Sequence, residues 1–422
     1  MKKSQRSKKT QKSTPTTSEE FWNQAIEDEE SGDRWISSDL EKSLRFYQRA
    51  YNHYNSAIKL DGAYFDAHYN AARLLFHVYL KFTSQEEIDL SKLETISTFE
   101  TDPNSVIQPL DKILIAHQTT LNLPPPAEDL NLYIDICFNA AVLYTELIEK
   151  AFDEDVDFDT LFNYATRSEE LFSRVLQTQL ADENMDIETL LDTIESAYKM
   201  VQTAYESTYN ESQLTTVSSH FEEFVSSLDE VVSSNFPKIP SARMSDLTIS
   251  KTSLLASKCL DFDSLLHLWQ DSKLPDNYKR FLQAADSVQN FVDTVILYGV
   301  QVNDDDKWKY LTTLNGLYKK AQELIVKETD LLKPQDAQNF SEYSILRIST
   351  LISRADVDIE RSCLNVPQAI SNKAILLKNG ITFLKGAINL SKESGGLKEP
   401  SKDKLTRAFK RKQAELKLSK LV

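Results

Sequence analysis

Histidine and cysteine most often carry catalysis or hold a metal, and this chain places them far apart. The three cysteines have no partner at the C-x-x-C spacing, and no two histidines stand at the H-E-x-x-H spacing of zinc proteases. The sequence also lacks the G-x-S-x-G nucleophile turn and the G-x-x-x-x-G-K phosphate loop. We therefore predict no enzymatic activity, no cofactor and no metal. The histidines are His53, His68, His77, His117, His220 and His267.

A short run of carboxylates, Asp153, Asp155 and Asp157, has the alternation seen in calcium loops. An EF-hand loop also needs a central glycine and a glutamate at its twelfth position. The sequence supplies neither at those places. We therefore interpret the run as an acidic insert between two helices.

The stretch from Phe46 to Val78 has the spacing of two helices joined by a short turn. Its first half carries apolar or aromatic residues at i, i+3, i+4, i+7, i+10 and i+11, which is one face of an α-helix. Asp61 and Gly62 supply the break, and Gly62 is predicted to take the left-handed conformation that ends a helix. Small residues such as Ala50 and Ala57 would let two helix backbones approach closely.

This hairpin resembles the tetratricopeptide repeat (TPR) family over about residues 20–180. Gly62 stands where the family usually has proline, and the helix A signature around Asn70 returns 69 residues later, around Asn139. That distance is close to two repeats of roughly 34 residues. The residues that carry the resemblance are Ala50, Tyr54, Ala57, Asp61, Gly62, Ala67, Tyr69, Asn70 and Ala72, then Phe138, Asn139, Ala140, Ala141, Leu143 and Tyr144.

The resemblance implies an all-α, TPR-like right-handed superhelix of antiparallel helix pairs, whose concave face binds extended peptides or partner helices. Asn70 and Asn139 occupy the place of a peptide-contacting asparagine in the family. His68, Tyr69 and Arg73 lie beside Asn70 on the same helix, and these five are the predicted partner-binding residues. Asn70 has an alternative role, a hydrogen bond to the adjacent repeat. The lysines and arginines of a chaperone-tail clamp are not found in register.

Composition supports the all-α prediction and indicates the cellular compartment. Only 8 of 422 residues are glycine, whereas phosphate loops and tight hairpins consume glycine. No run approaches about 18 apolar residues, and no apolar segment follows the N-terminal charges, so neither a membrane span nor a secretory signal is predicted. Three isolated cysteines indicate a reducing compartment. We expect a cytoplasmic or nuclear location, or both.

Composition shifts also suggest the domain organisation. Pro237 and Pro240 mark a boundary at about 236–246, and residues 82–128 interrupt the repeat pattern. Beyond the boundary the helices either continue the stack in degenerate form or make a separate bundle. The predicted segments are a disordered basic tail at 1–19, a TPR-like domain at 20–235, a helical region at 247–396, and a basic tail at 397–422 whose pattern is compatible with a helix. The predicted later helices are Leu254–Trp269, Tyr278–Tyr298, Trp308–Leu332, Phe340–Ala355 and Ile370–Leu390.

Charge is distributed unevenly along the chain. Residues 1–14 and residues 398–422 each carry a net charge of +6, and residues 15–397 carry −28. The body should repel nucleic acid and attract basic polypeptides, and the ends should do the reverse. The N-terminal cluster is typical of a nuclear-import signal, a nucleic-acid contact or a solubilising tail. The C-terminal one suits an acidic partner, RNA or a membrane surface, or an intramolecular cap on the acidic helices.

Three functions fit these observations. The first is a protein-protein interaction scaffold or adaptor. The second is a dedicated carrier whose acidic groove shields a basic client, such as a ribosomal protein or histone, and whose complex should be sensitive to salt. The third is an RNA-associated factor that uses the basic tails.

Overall fold

A computed structural model of the chain describes residues 14–93, 102–126, 130–182, 184–332, 337–393 and 399–421. All of its regular elements are helices, and none of the residues in these ranges lies in a strand, so the all-α prediction is confirmed. Most of the predicted tail at 1–19 lies outside the described residues. The helices are α1 (Ser18–Ile36), α2 (Leu40–Leu60), α3 (Phe65–Val78), α4 (Leu110–Leu121), α5 (Leu130–Asp153), α6 (Phe158–Ala181), α7 (Ile187–Glu206), α8 (Glu211–Asn235), α9 (Ser241–Ser257), α10 (Phe262–Trp269), α11 (Tyr278–Leu297), α12 (Asp304–Asp330), α13 (Ala337–Cys363), α14 (Pro367–Ser391) and α15 (Ser401–Ser419).

The chain divides into two units, Met1–Tyr133 and Ile134–Val422. This division differs from the predicted boundary at 236–246. The reason is visible in the packing, because Leu228 of α8 and Leu247 of α9 belong to one hydrophobic cluster. The two prolines of that segment mark a turn between packed helices. No helix of the described residues combines the length and the apolar character that a membrane crossing requires.

The first unit is built on the hairpin of α1 and α2, joined by three residues. Thr17 caps α1 in a capping box with Glu20, and Asp39 caps α2 through the backbone N–H of Lys42. α3 packs on α2, and α4 packs on α3. The predicted turn between the helices at Phe46–Val78 is therefore confirmed, and the described residues of the interruption at 82–128 include an α-helix, α4.

Gly62 does not end α2 in the way that the sequence suggested. Among the described residues, positive φ values belong to Asp155 and Gly299. Asp61 closes the turn instead, since its backbone N–H donates to the carbonyl of Ala57 and its side chain accepts from the N–H of Ala63. Because the Asp61 side chain stabilises the turn, Gly62 need not adopt the left-handed conformation.

Among its described residues, the second unit contains three hydrophobic clusters in chain order. The first joins α5 to α9, the second joins α9 to α12 and includes Val357 of α13, and the third joins α13 to α15. α7 lies inside the first cluster, where residues 200–205 are all buried, whatever face of the helix they occupy. A helix that is covered all round must be surrounded by neighbours, and α7 packs against α6, α8 and α9.

Two sequence expectations for the second unit need correction. The predicted helix Leu254–Trp269 is two helices, because Asp261 accepts from the N–H of Ser264 and so begins α10. The second expectation is the basic tail at 397–422, whose described residues, 399–421, pack on the rest of the unit. Residues 401–419 form α15, which packs on α13 and α14, and Arg407 makes a buried two-point pair with Glu399. Of the roles open to this end, an intramolecular cap is the one seen.

Gly32 provides a test of the first hairpin. A Cβ atom at this buried position would collide with the ring of Tyr47, whose hydroxyl donates to Asp33 (2.7 Å). We expect Gly32→Ala to lower the free energy of unfolding by about 1–3 kcal/mol through overpacking. The control is Gly62→Ala, where the nearest heavy atom to the added Cβ lies 4.0 Å away. Urea unfolding of both variants measures the difference, and equal stabilities would contradict the packing.

His117 provides a test of pH dependence. Its ring is fully buried between α3 and α4, Nδ1 lies 2.9 Å from the carbonyl of Ile113, and burial lowers the pKa of His117 to about 4. The unfolded chain, with a pKa of about 6.5, then binds more protons below neutrality. The stabilisation is complete above pH 6.5 and is lost as the pH falls towards 4.

The expected loss at His117 is about 3 kcal/mol between pH 7.5 and pH 4. His117→Leu should remove this contribution, so the variant loses that much less stability over the same interval. Amide exchange in α4 at the two pH values measures the effect. Parallel pH profiles for the two proteins would show that the buried imidazole is not the source.

Candidate functional site

The predicted partner-binding residues of the first unit lie on α3 and are engaged with their own hairpin. Asn70 donates to the carbonyl of Asp66 (2.9 Å), and Tyr69 is buried. The ring Nε2 of His68 lies 3.1 Å from the carbonyl of Gly62, and burial lowers the pKa of His68. The Asn70 bond lies within α3 and is not the bond to an adjacent repeat that was its alternative role, and the peptide-contacting role of Asn70 stays a prediction.

Arg73 closes the first unit electrostatically. Its guanidinium pairs with Glu29 of α1, a buried carboxylate that also accepts from the hydroxyl of Tyr54 (2.8 Å). Burying a carboxylate is costly unless a cation and hydrogen bonds compensate it. Arg73 is therefore needed for packing, whatever else it binds. Asn139 is half-buried on α5, in the second unit, so the structure places the two asparagines in separate units.

The Glu29–Arg73 pair yields a stability prediction. Arg73→Ala leaves the Glu29 charge buried with one hydroxyl donor, and we expect a loss of about 2 kcal/mol in the free energy of unfolding, less than for a fully enclosed pair. The double variant Glu29→Gln, Arg73→Met carries no buried charge and should recover at least half of this loss. Thermal and urea unfolding measure both proteins. Additive losses in the double variant would refute the pairing.

A different surface, in the second unit, has the geometry of a binding site. A cleft of about 610 Å³ opens between the end of α5, the end of α7 and the end of α11. Five of the lining residues carry carboxylates, and none of the lining residues is a lysine or an arginine. We call this the acidic cleft. It is lined by Glu149, Phe152, Asp153, Asp155, Thr203, Glu206, Ser207, Tyr209, Asn290, Asp293, Thr294 and Leu297.

Hydrogen bonds fix the floor of the acidic cleft. Glu206, at the end of α7, accepts from the amide of Gln202 (2.8 Å) and from the amide of Asn290 (2.9 Å) on α11. The hydroxyls of Thr208 and Tyr298 lie 2.5 Å apart and tie the turn after α7 to the end of α11. Glu206 is thus held by partners from two helices, which keeps its carboxylate in place before any ligand arrives.

The wall formed by α5 combines aromatic and acidic groups. Phe152 stacks on Tyr209 with ring centroids 5.1 Å apart, and the hydroxyl of Tyr209 donates to the carbonyl of Val156 (3.0 Å). Between them the chain leaves α5 through Asp155, which has a positive φ of 53°. Aspartate is one of the few residues other than glycine that adopts this conformation readily. The turn therefore places the Asp155 carboxylate at the cleft.

Two groups beside the acidic cleft have raised pKa values, mainly through burial and further through nearby carboxylates. Burial, Asp155 and Asp157 together raise the pKa of Tyr209. Burial and the neighbouring Glu149 raise the pKa of Glu146, one turn away on α5. Lys199 lies on the rim, 2.9 Å from Glu149, and its charge also interacts with Glu206. A negatively charged surface attracts cations.

Sequence reasoning did not find this cleft. Its lining comes from residues 149–155, 203–209 and 290–297, which no spacing rule connects. One signal was present, the acidic run beginning at Asp153, and it was interpreted as an insert. Asp157 of that run caps α6 by accepting from the N–H of Thr160, whereas Asp153 and Asp155 line the cleft. Asn139 lies ten residues before Glu149, about 15 Å along the same helix, and does not line it.

Comparison with known proteins relates the end of the chain to a yeast protein. The family described as the YNL193W C-terminal domain matches residues 275–422, which contain α11 to α15. The Uncharacterized protein YNL193W of Saccharomyces cerevisiae is 30% identical over 156 residues, which make up 36% of this chain. The match spans only 27% of the yeast protein's length. Residues 20–180, which carry the TPR resemblance, lie outside the family match.

A solved structure is similar in its helical composition. It is a circular tandem repeat protein with novel repeat topology and enhanced subunit contact surfaces, and it is 15% identical to this chain. The alignment covers 96% of this chain and 83% of that one, with a TM-score of 0.32.

Proposed function

We propose that this chain is a non-enzymatic protein-protein interaction scaffold whose acidic cleft binds a lysine- or arginine-rich segment of a protein partner. The observation that carries the proposal is the convergence of five carboxylates and a stacked aromatic pair on one pre-positioned cleft. Carboxylates bind ammonium and guanidinium groups, and aromatic faces add cation–π attraction. The cleft thus supplies both kinds of contact that a basic segment uses.

The geometry of the acidic cleft is partly constrained in the unbound chain, which favours binding of a ligand. Glu206 is held by two amide donors, and Asp155 by the local backbone conformation. A ligand that enters therefore need not order these groups, which reduces the entropic cost of association. The TPR-like concave surface that the sequence resemblance implies would be a separate binding surface, distinct from the acidic cleft.

The test uses the full chain and a labelled twelve-residue lysine- and arginine-rich peptide. We expect Asp153→Asn, Asp155→Asn, Asp293→Asn to weaken peptide binding about tenfold or more, since each lost ion pair is worth roughly 0.5 kcal/mol or more. Asparagine keeps the shape and tolerates the positive φ at position 155. Fluorescence anisotropy at two salt concentrations measures affinity, which should fall with salt.

The matched control removes three exposed carboxylates of α8, Glu222→Gln, Glu223→Gln, Glu230→Gln, and so changes the net charge equally. Its affinity should stay within twofold of the unaltered chain. Equal weakening by both triple variants would mean that overall charge, not the cleft, attracts the peptide. That outcome would refute the proposal.

A dedicated carrier for a basic client is the second candidate, favoured by the same negative cleft. The scaffold and the carrier predict different compositions for the native complex. A carrier should retain one basic protein at equal stoichiometry and release it with salt, whereas a scaffold should retain several subunits after a salt wash. Affinity purification of the full chain at low and high salt, with the bound proteins counted, separates them.

A further inference from the structure

The last two helices have the opposite charge character to the cleft. α14 contains three lysines and no acidic residue, in a chain whose net charge is −16. Lys378, Lys385 and the capping residue Lys392 follow one another at seven-residue intervals, all three are exposed, and none pairs with a described carboxylate. A seven-residue interval is nearly two helical turns, so these lysines share one face. We call them the basic face.

The basic face is anchored on a packed core. Opposite it, Leu376, Gly380, Leu384 and Ala387 are buried, and Gly380 lies against Ile359 of α13. α15 packs on the same helices, and Lys417 pairs with Asp356 of α13 (2.7 Å). Since α13 and α15 cover the other sides of α14, the basic face is the side left for a partner.

We propose that the basic face is a second docking surface, which binds an acidic helix of a partner protein. The spacing carries this assignment. Lysines about 10.5 Å apart along a helix match carboxylates repeated every seventh residue on a second helix lying alongside. Ser371 and Ala374, small exposed residues in the two turns before Lys378, lie on the same side of α14 and allow the second backbone to approach, and the exposed Ile375 borders them.

The composition of this region does not favour a nucleic acid. Stacking platforms and bidentate phosphate contacts rely on aromatic and arginine side chains. The described residues of α14 and α15 contain two aromatics, Phe383 and Phe409, both partly buried, and Arg354 covers the ring of Phe383 at 4.2 Å. Arg407 is committed to Glu399. A membrane surface would instead require a broad apolar face, whereas the exposed large apolar residues of α14 are Ile370 and Ile375, both near its start.

The experiment measures binding of a labelled 21-residue amphipathic peptide with glutamate at every seventh position. It uses the full chain, in which Lys378→Glu, Lys385→Glu, Lys392→Glu should weaken binding at least tenfold. The matched control, Lys238→Glu, Lys258→Glu, Lys273→Glu, alters three exposed lysines elsewhere in the same unit and should stay within threefold. The acidic-cleft variant should bind the peptide as the unaltered chain does, so this inference stands or falls independently of the cleft.

Other probes decide the class of partner. A peptide of the same composition in scrambled order should bind at least tenfold more weakly. Equal binding of both peptides, or no binding of the ordered peptide at 100-fold above the protein concentration, would overturn the proposal. So would tighter binding of a single-stranded RNA or of phosphatidylserine vesicles that the lysine variant abolishes, since that would assign the face to nucleic acid or membrane.

Discussion

The burial of α7 is the constraint on which the second unit depends. Residues 200–205 of this helix have no exposed side, so three neighbouring helices must be in place before it can be stable. The same burial fixes where the helix ends. Its last residue, Glu206, lines the acidic cleft, with its carboxylate already held by amides of α7 and α11. The packing of one helix thus determines the position of a surface group.

Local sequence signals were sufficient to predict most of the helices. Periodicity located α11, α12 and α14 to within a few residues, because each buries a continuous stripe against its neighbours. The signal failed where a single side chain decides the outcome. Asp261 starts a new helix inside an apolar run, and Asp61 closes a turn that a glycine was expected to make. A helix cap or a carboxylate turn depends on one or two hydrogen bonds made by a single residue. Hydrophobic periodicity is read over many residues and does not detect such a single position.

The acidic cleft was hidden from the sequence for a different reason. Asp153, Glu206 and Asp293 are each ordinary acidic residues on an exposed helix end, and only the packing of α5, α7 and α11 brings them together. Asn70 and Asn139 illustrate the converse. They match one repeat signature in the sequence, yet they belong to separate units of the structure. A signature reports the local helix, whereas a site is made by contacts between helices distant in sequence.

Pairing separates the charges that hold this fold from those that face a partner. Arg243 of α9 contacts three acids of α7, Glu188 (2.9 Å), Asp192 (2.5 Å) and Glu195 (3.2 Å), so these acidic residues join two helices. The Glu29–Arg73 and Glu399–Arg407 pairs likewise stabilise contacts within the chain. The acidic cleft and the basic face differ in that their charges mostly lack a counter-charge among the described residues. Because like charges brought together repel, such groupings cost stability, and a ligand of opposite charge would recover that cost on binding.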